Sequence, residues 1–148
     1  MAPAPAQSTV VTVLWVSSHA DDLPALGKVL TGQEPPDCPD CRFEVITADN
    51  VEAALRVLES ARIPVVLCER ELGKDTWKTL LARMAQLEEK PYLIVASRSA
   101  DESLWAEALN LGVYDVLARP FVTSEVARTL SLAWLRWNEA ARPRRAVA

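Results

Sequence analysis

The chain has 148 residues, half of them apolar and 24% charged, with a formal net charge of -4, which is enough for one domain whose core needs neither a metal nor a disulfide to hold it. The acidic balance offers no basic stripe for nucleic acid, no apolar stretch approaches the ~20 residues of a membrane span, and the opening "MAPAPAQST" lacks the basic and apolar regions of a signal peptide. The expectation is a cytoplasmic protein that binds neither nucleic acid nor membrane, with residues 1–8 as a disordered lead, 9–140 as the folded domain and 141–148 ("ARPRRAVA") as a basic flexible tail.

In chain order, the first predicted strand is "TVVTVLWV" (9–16). A helix follows from about Asp21 to Leu30, with Leu23, Leu26 and Leu30 on one face and a stop at Gly32. The next segment, "PDCPDCRF", contains a C-x-x-C at Cys38 and Cys41. An odd total of three cysteines argues against a disulfide framework. A zinc site would need two further ligands, and a redox motif should open a helix, whereas this pair sits in a Pro-rich loop before a strand. The expectation is two loop thiols open to adventitious oxidation.

The second strand is "FEVIT" (43–47), and Asp49 and Glu52 then open a helix at capping-box spacing that buries Val51, Ala54, Leu55 and Leu58. The third strand, "IPVVLC" (63–68), ends at a carboxylate, Glu69. A helix from Asp75 places Trp77, Leu80, Leu81, Met84 and Leu87 at helical spacing. The fourth strand is "PYLIVAS" (91–97); the box Ser99–Glu102 then opens a helix with Leu104, Ala108 and Leu111 on its apolar face and Gly112 at its end. The fifth strand is "VYDVLA" (113–118), and the last helix runs from Thr123 or Ser124 to about Ala140.

Most of the strands are continuously apolar rather than alternating, as strands buried on both faces of a parallel sheet are. Strict alternation of strand and helix requires right-handed crossovers and a parallel sheet. The fold class is therefore α/β, a flavodoxin-like doubly wound (βα)5 sheet in the order 2-1-3-4-5. Ligands in such sheets bind beyond the carboxyl ends of the strands. That rim carries Ser17, Ser18, His19, Glu69 and Ser97. His19, with no acid or thiolate beside it, reads as a polar loop residue, and "SSHADDL" lacks the Gly and Thr pattern of a phosphate loop.

From about residue 10 to residue 137 the chain resembles the receiver domain of bacterial two-component response regulators. The resemblance rests on "ALNLGVYDVLARPF" (108–121), on "VVLCERELG" (65–73), and on the ungapped spacing from Ser97 to Arg119. It implies a site with an acidic pair after the first strand, an acceptor Asp after the third, a Thr/Ser after the fourth and a Lys after the fifth, with Mg²⁺ held by the acidic pair and the acceptor. These positions map onto Ser17 and Ser18, Glu69, Ser97 and Arg119, and the fifth-strand aromatic that often reports activation maps onto Val116. Two serines remove the charge that would hold Mg²⁺. Glu carries its carboxylate roughly 1 Å further out than Asp, a misplacement that alone costs about 10²-fold in rate. Asp21 and Asp22 are read as acidic residues favouring the start of the first helix.

Glu69 then has two readings: a carboxylate pairing with Arg119 or Arg70, or a partial imitation of a phosphorylated Asp reaching towards Ser97 and Arg119. The first is preferred, because Arg offers a carboxylate a bidentate fit. The expected function is that of a stand-alone degenerate receiver, a signalling and protein-interaction module that is not an enzyme, has no catalytic or metal-binding residues and needs no cofactor. The alternative is a working phosphoacceptor using an unconventional residue. Trp105, Leu109, Trp134 and Trp137 are candidates for an aromatic patch on the face of the fourth helix, fifth strand and fifth helix. Through it the protein would bind itself or a protein partner, a histidine kinase or an output protein.

Overall fold

The structure, a computed structural model, describes residues 9–38 and 40–141. The expected lead (1–8) and all but the first residue of the expected tail (141–148) lie outside the described residues. Five parallel strands form one sheet: β1 (Val10–Val16), β2 (Arg42–Ala48), β3 (Val65–Glu69), β6 (Tyr92–Ser97) and β7 (Asp115–Ala118), in the order β2-β1-β3-β6-β7. This is the predicted 2-1-3-4-5 arrangement. A short antiparallel hairpin, β4 (Glu71–Leu72) with β5 (Asp75–Thr76), follows β3. The helices are α1 (Ala25–Leu30), α2 (Val51–Ser60), α3 (Trp77–Met84), α4 (Glu102–Asn110) and α5 (Thr123–Ala141). Among the described residues no helix is long and apolar enough to cross a membrane.

Side chains alternate between the two faces of a strand, and that alternation divides the core. Val11, Val13, Trp15, Val65, Leu67, Ile94, Ala96 and Leu117 face Leu26 and Leu30 of α1 and Val126, Leu130 and Ala133 of α5. Leu14, Val16, Val66, Cys68, Val95 and Val116 face α2, α3 and α4 through Val51, Leu55, Trp77, Leu80, Leu104 and Ala108. Trp15 and Trp77 are fully buried core residues, on opposite faces.

Several local expectations are corrected. The first helix is not continuous from Asp21: a 3-10 turn at Ala20–Asp22 precedes α1, which begins only at Ala25. Pro24 lies between them and, having no N–H, cannot donate back to Ala20 O, which accepts from Leu23 N instead. The cap of α2 is Asn50, whose side chain accepts from the Ala53 N–H, and Asp49 accepts from the Asn50 side chain instead. Helix α3 begins at Trp77 and is capped by Thr76, the last residue of β5, with Thr79 completing the box. Helix α4 is capped by Asp101, whose side chain accepts from Leu104 N–H at 2.9 Å, rather than by Ser99. That helix ends at Asn110, so Leu111 is not on its buried face and is 51% exposed; Gly112, with φ +97°, makes the left-handed exit.

The cysteine pair also differs from expectation. Cys38 and Cys41 are joined as a disulfide, and Cys41 is buried among Leu30, Val11 and Leu130. Cys68 is a buried free thiol at the other end of the sheet, and burial pushes its ionisation far up.

Candidate functional site at the carboxyl edge of the sheet

The strand register brings the rim together. Val16 is paired with Cys68, Glu69 with Ala96, and Ser97 with Ala118, so the next residues of β1, β3, β6 and β7 emerge in a staggered row. Backbone bonds from Arg70 N to Ala96 O (2.9 Å) and from Arg119 N to Ser97 O (3.0 Å) extend the ladders one residue further. Counting from the buried faces, Glu69 and Arg119 share the parity of Leu67 and Leu117, on the side of α1 and α5. Ser97 has the parity of Val95, on the other side.

That parity explains the contacts. The Arg119 guanidinium donates to the Glu69 carboxylate in a close ion pair. Its two terminal nitrogens also straddle Asp22, Nη1 to Oδ2 at 3.2 Å and Nη2 to Oδ1 at 3.3 Å. The three side chains are only 8% (Arg119), 13% (Glu69) and 17% (Asp22) exposed. Arg98, mostly in solvent, approaches Asp22 at 3.5 Å. The guanidinium lies 4.8 Å from the Phe121 ring and 5.7 Å from the Trp15 ring. Its buried Nε has no hydrogen-bond partner among the described residues, and these aromatic faces are what the cation meets instead.

Of the two carboxylates that share the cation, Glu69 departs from a free one. Burial pushes the Glu69 carboxyl above its usual range; the Arg119 bond and charge pull it down, and the neighbouring Asp22 charge pushes it up again. Burial works against the charge of Arg119, but the bonds from Asp22 and Glu69 outweigh it and hold the guanidinium above its ordinary value.

The predicted site positions are thus distributed. Ser17 is fully buried; its N–H donates to Ala48 O at 3.1 Å and its Oγ accepts from His19 N–H at 3.3 Å. Ser18 is half-buried and faces the hairpin tip, where Gly73 adopts φ +69° and a Cβ would make only ordinary contact, 4.0 Å, with that of Ser18. Ser97 is buried, and its Oγ accepts from Ser99 N–H at 3.0 Å. Arg70 does not pair with Glu69; it donates to Ser99 O at 3.3 Å. Val116 is buried against α4. A depression of about 240 Å³ opens between His19, Asp22, Glu69, Arg70, Ser97 and Arg98.

Asp22 is the residue that sequence reasoning misplaced. It does not serve a helix start: the 3-10 turn swings it back over the rim, and Trp15 Nε1 donates to its carbonyl at 2.9 Å. The signal was Pro24, two residues on, whose missing N–H interrupts the ladder between the 3-10 turn and α1. Asp21, by contrast, is exposed.

Of the aromatic candidates, Trp105 is 38% and Leu109 49% exposed, one turn apart on α4. Trp134 is half-buried against the core. Trp137 does not join the patch: it is buried, donates from Nε1 to Lys90 O at 3.2 Å, and is covered by Arg62 at 4.5 Å.

A doubly wound parallel sheet with charged side chains gathered at its carboxyl edge places them where sheets of this class bind their ligands. Residues 38–131 match the response regulator receiver domain family. Regulatory protein VirG of Agrobacterium tumefaciens (strain 15955) is 28% identical over 91 residues, 62% of this chain and 34% of that protein; the chain spans about a third of its length. The CheY-like receiver domain protein of Methanospirillum hungatei JF-1 superposes with a TM-score of 0.73 at 15% identity, over 89% of this chain and 99% of that one. The beryllofluoride-activated NtrC4 receiver domain dimer gives a TM-score of 0.71 at 16% identity, over 85% and 98%. The chain belongs to the response regulator receiver domain family, a signalling module rather than a classical enzyme.

Proposed function

We propose that this receiver domain acts as a protein-interaction module in a two-component-type pathway, in the cytoplasm, without Mg²⁺-dependent phosphorylation at the position of the family's acceptor Asp. The observation that carries the reading is the sharing of Arg119 by Glu69 and Asp22. Mg²⁺ asks for near-octahedral oxygen ligands, usually with one or two carboxylates. The donors at the corresponding seat are a buried Ser17 hydroxyl engaged with His19 N–H, Ser18, and two carboxylates already bound to a guanidinium. That set does not fit the ion, because freeing either carboxylate means breaking a buried, hydrogen-bonded ion pair.

Glu69 is then a structural anchor where the family places its nucleophile. Output would pass through the face of α4, β7 and α5, with Trp105, Leu109 and Leu111 exposed along it. Exposed aromatic and aliphatic side chains of this kind form the centres of protein interfaces. The occupant would be a second copy, a histidine kinase or an output protein.

Incubation of the chain with acetyl phosphate and Mg²⁺, followed by intact-mass measurement, tests the reading. The mass stays that of the unmodified chain. A stable phosphoryl adduct on Glu69, Ser17, Ser18 or His19 would establish the opposite, a working acceptor of unconventional type.

A further inference from the structure

The Pro-rich segment between α1 and β2 is docked on α5, and a disulfide shapes it. The Asp37 N–H donates to Ser131 Oγ at 3.1 Å, across 94 residues of sequence, and Ser131 is fully buried in α5. Asp37 lies in a tight turn closed by Cys38 N to Pro35 O at 3.1 Å, and a second turn, Cys41 N to Cys38 O at 3.0 Å, follows directly at Cys38. The Cys38–Cys41 bridge closes the second of these turns, with its Cα atoms 5.3 Å apart. A ring between residues three apart constrains the unfolded chain little, so what the bridge holds is local. A groove of about 520 Å³ lies between this segment and the start of α5, lined by Gln33, Glu34, Pro36, Val122, Glu125 and Arg128.

The two sulfurs are unequal. Cys41 is 4% exposed and packed in the core, while Cys38 is only partly buried at its margin. Among the described residues no group of three metal-ligating side chains includes them, so the chemistry available to the pair is redox chemistry.

We propose that Cys38–Cys41 is a thiol–disulfide exchange site through which a dithiol reductant controls the contact of Asp37 with Ser131 of α5. A thiolate of the reductant attacks Cys38 Sγ, on the less buried of the two residues, forming a mixed disulfide. The electron pair of the broken S–S bond goes to Cys41 Sγ, which takes up a proton. The second thiol of the reductant then attacks the mixed disulfide and releases Cys38 as a thiol. The chain gains two electrons and two protons, and the dithiol becomes a cyclic disulfide. With the turn released, Asp37 no longer presents its N–H to Ser131, whose buried hydroxyl loses a partner. Helix α5 bears both this contact and one side of the proposed interaction face, so the redox state reaches that face through one element. The inference is independent of how Glu69 is read.

The test is hydrogen exchange on the full chain, oxidised and after reduction with dithiothreitol, together with alkylation and mass spectrometry after equilibration in glutathione buffers of graded ratio. The peptide containing Cys38 and Cys41 is found as a disulfide at oxidising ratios and is reversibly alkylated at reducing ones, while buried Cys68 stays unlabelled in both. Reduction lowers protection of the Asp37 amide by up to about tenfold, the loss of one hydrogen bond, and leaves the amides of β1 and β3 unchanged. Ser131→Ala lowers Asp37 protection in the oxidised chain as well. Two cysteines alkylated at every ratio would overturn the proposal, and so would equal Asp37 protection in the two redox states.

Discussion

Glu69, at the end of β3, and Arg119, just past β7, meet in an ion pair although β6 lies between their strands. Two strand spacings are about 10 Å, which only long side chains can bridge. Glu and Arg are the longest carboxylate and the longest cation available, and both have the parity that turns them to the Trp15 side. The pair therefore ties β3 to β7 over the top of the sheet, and Asp22 draws the β1–α1 connection into the same knot.

Removal of the shared cation should leave two nearly buried carboxylates facing each other. Arg119→Ala is expected to cost about 3 kcal/mol of unfolding free energy, typical of breaking a buried pair from one side. Arg119→Lys should recover part of this, because an ammonium cannot fork across Asp22 while holding Glu69. Urea denaturation of the three proteins measures both.

The pH dependence follows from the direction of the Glu69 shift. Burial leaves its carboxyl above the ordinary 4.5, so the folded chain holds this proton more tightly than the unfolded chain does. The group's contribution to stability is full below pH 4.5 and is lost as the pH rises through the folded value. Subtracting the stability profile of Glu69→Gln from that of the natural chain should therefore leave a curve that falls with pH above that point. A difference curve that rises there would show that Arg119, not burial, dominates Glu69.

The start of α4 separates two caps. Asp101→Ala should cost about 1 kcal/mol, since its side chain accepts from Leu104 N–H. Ser99→Ala should stay within about 0.5 kcal/mol, because the Ser99 side chain caps nothing. Thermal unfolding of the two variants distinguishes them.

The sheet order was legible because continuous apolar runs such as "IPVVLC" have no reason to exist except burial on both faces, and all six of its residues are buried. The rim positions were legible for the same reason: strand ends are fixed by where the apolar run stops. What was not legible depended on three-dimensional competition. Ser99, Asp101 and Glu102 all offer cap chemistry, and the chain path chooses among them. Asp49 is a good cap by type but is displaced by Asn50, and Asp75 by Thr76 once the hairpin forms. Asp22 reached the site only because a turn before Pro24 redirected it, which spacing alone does not reveal. The contact of the Cys38–Cys41 loop with α5 was not legible because Asp37 and Ser131 are far apart in sequence.

The exposed α4 residues should behave unlike the buried tryptophan of α5. Trp105→Ala and Leu109→Ala are expected to change stability by no more than about 0.5 kcal/mol while weakening self-association or partner binding. Trp137→Ala should cost about 3 kcal/mol, as truncation of a packed aromatic does. Sedimentation analysis beside thermal unfolding separates the two classes of effect.

Trp15 reports on the rim, because its ring lies beside both Arg119 and Phe121. Tryptophan fluorescence is followed while Mg²⁺ is added to millimolar levels, with and without beryllofluoride as a phosphoryl mimic. A site whose carboxylates are held by Arg119 gives no saturable change in either titration, with the fold intact by circular dichroism. A saturable response that Glu69→Ala abolishes would contradict the account, for it would mean that the rim still takes up metal and phosphoryl groups.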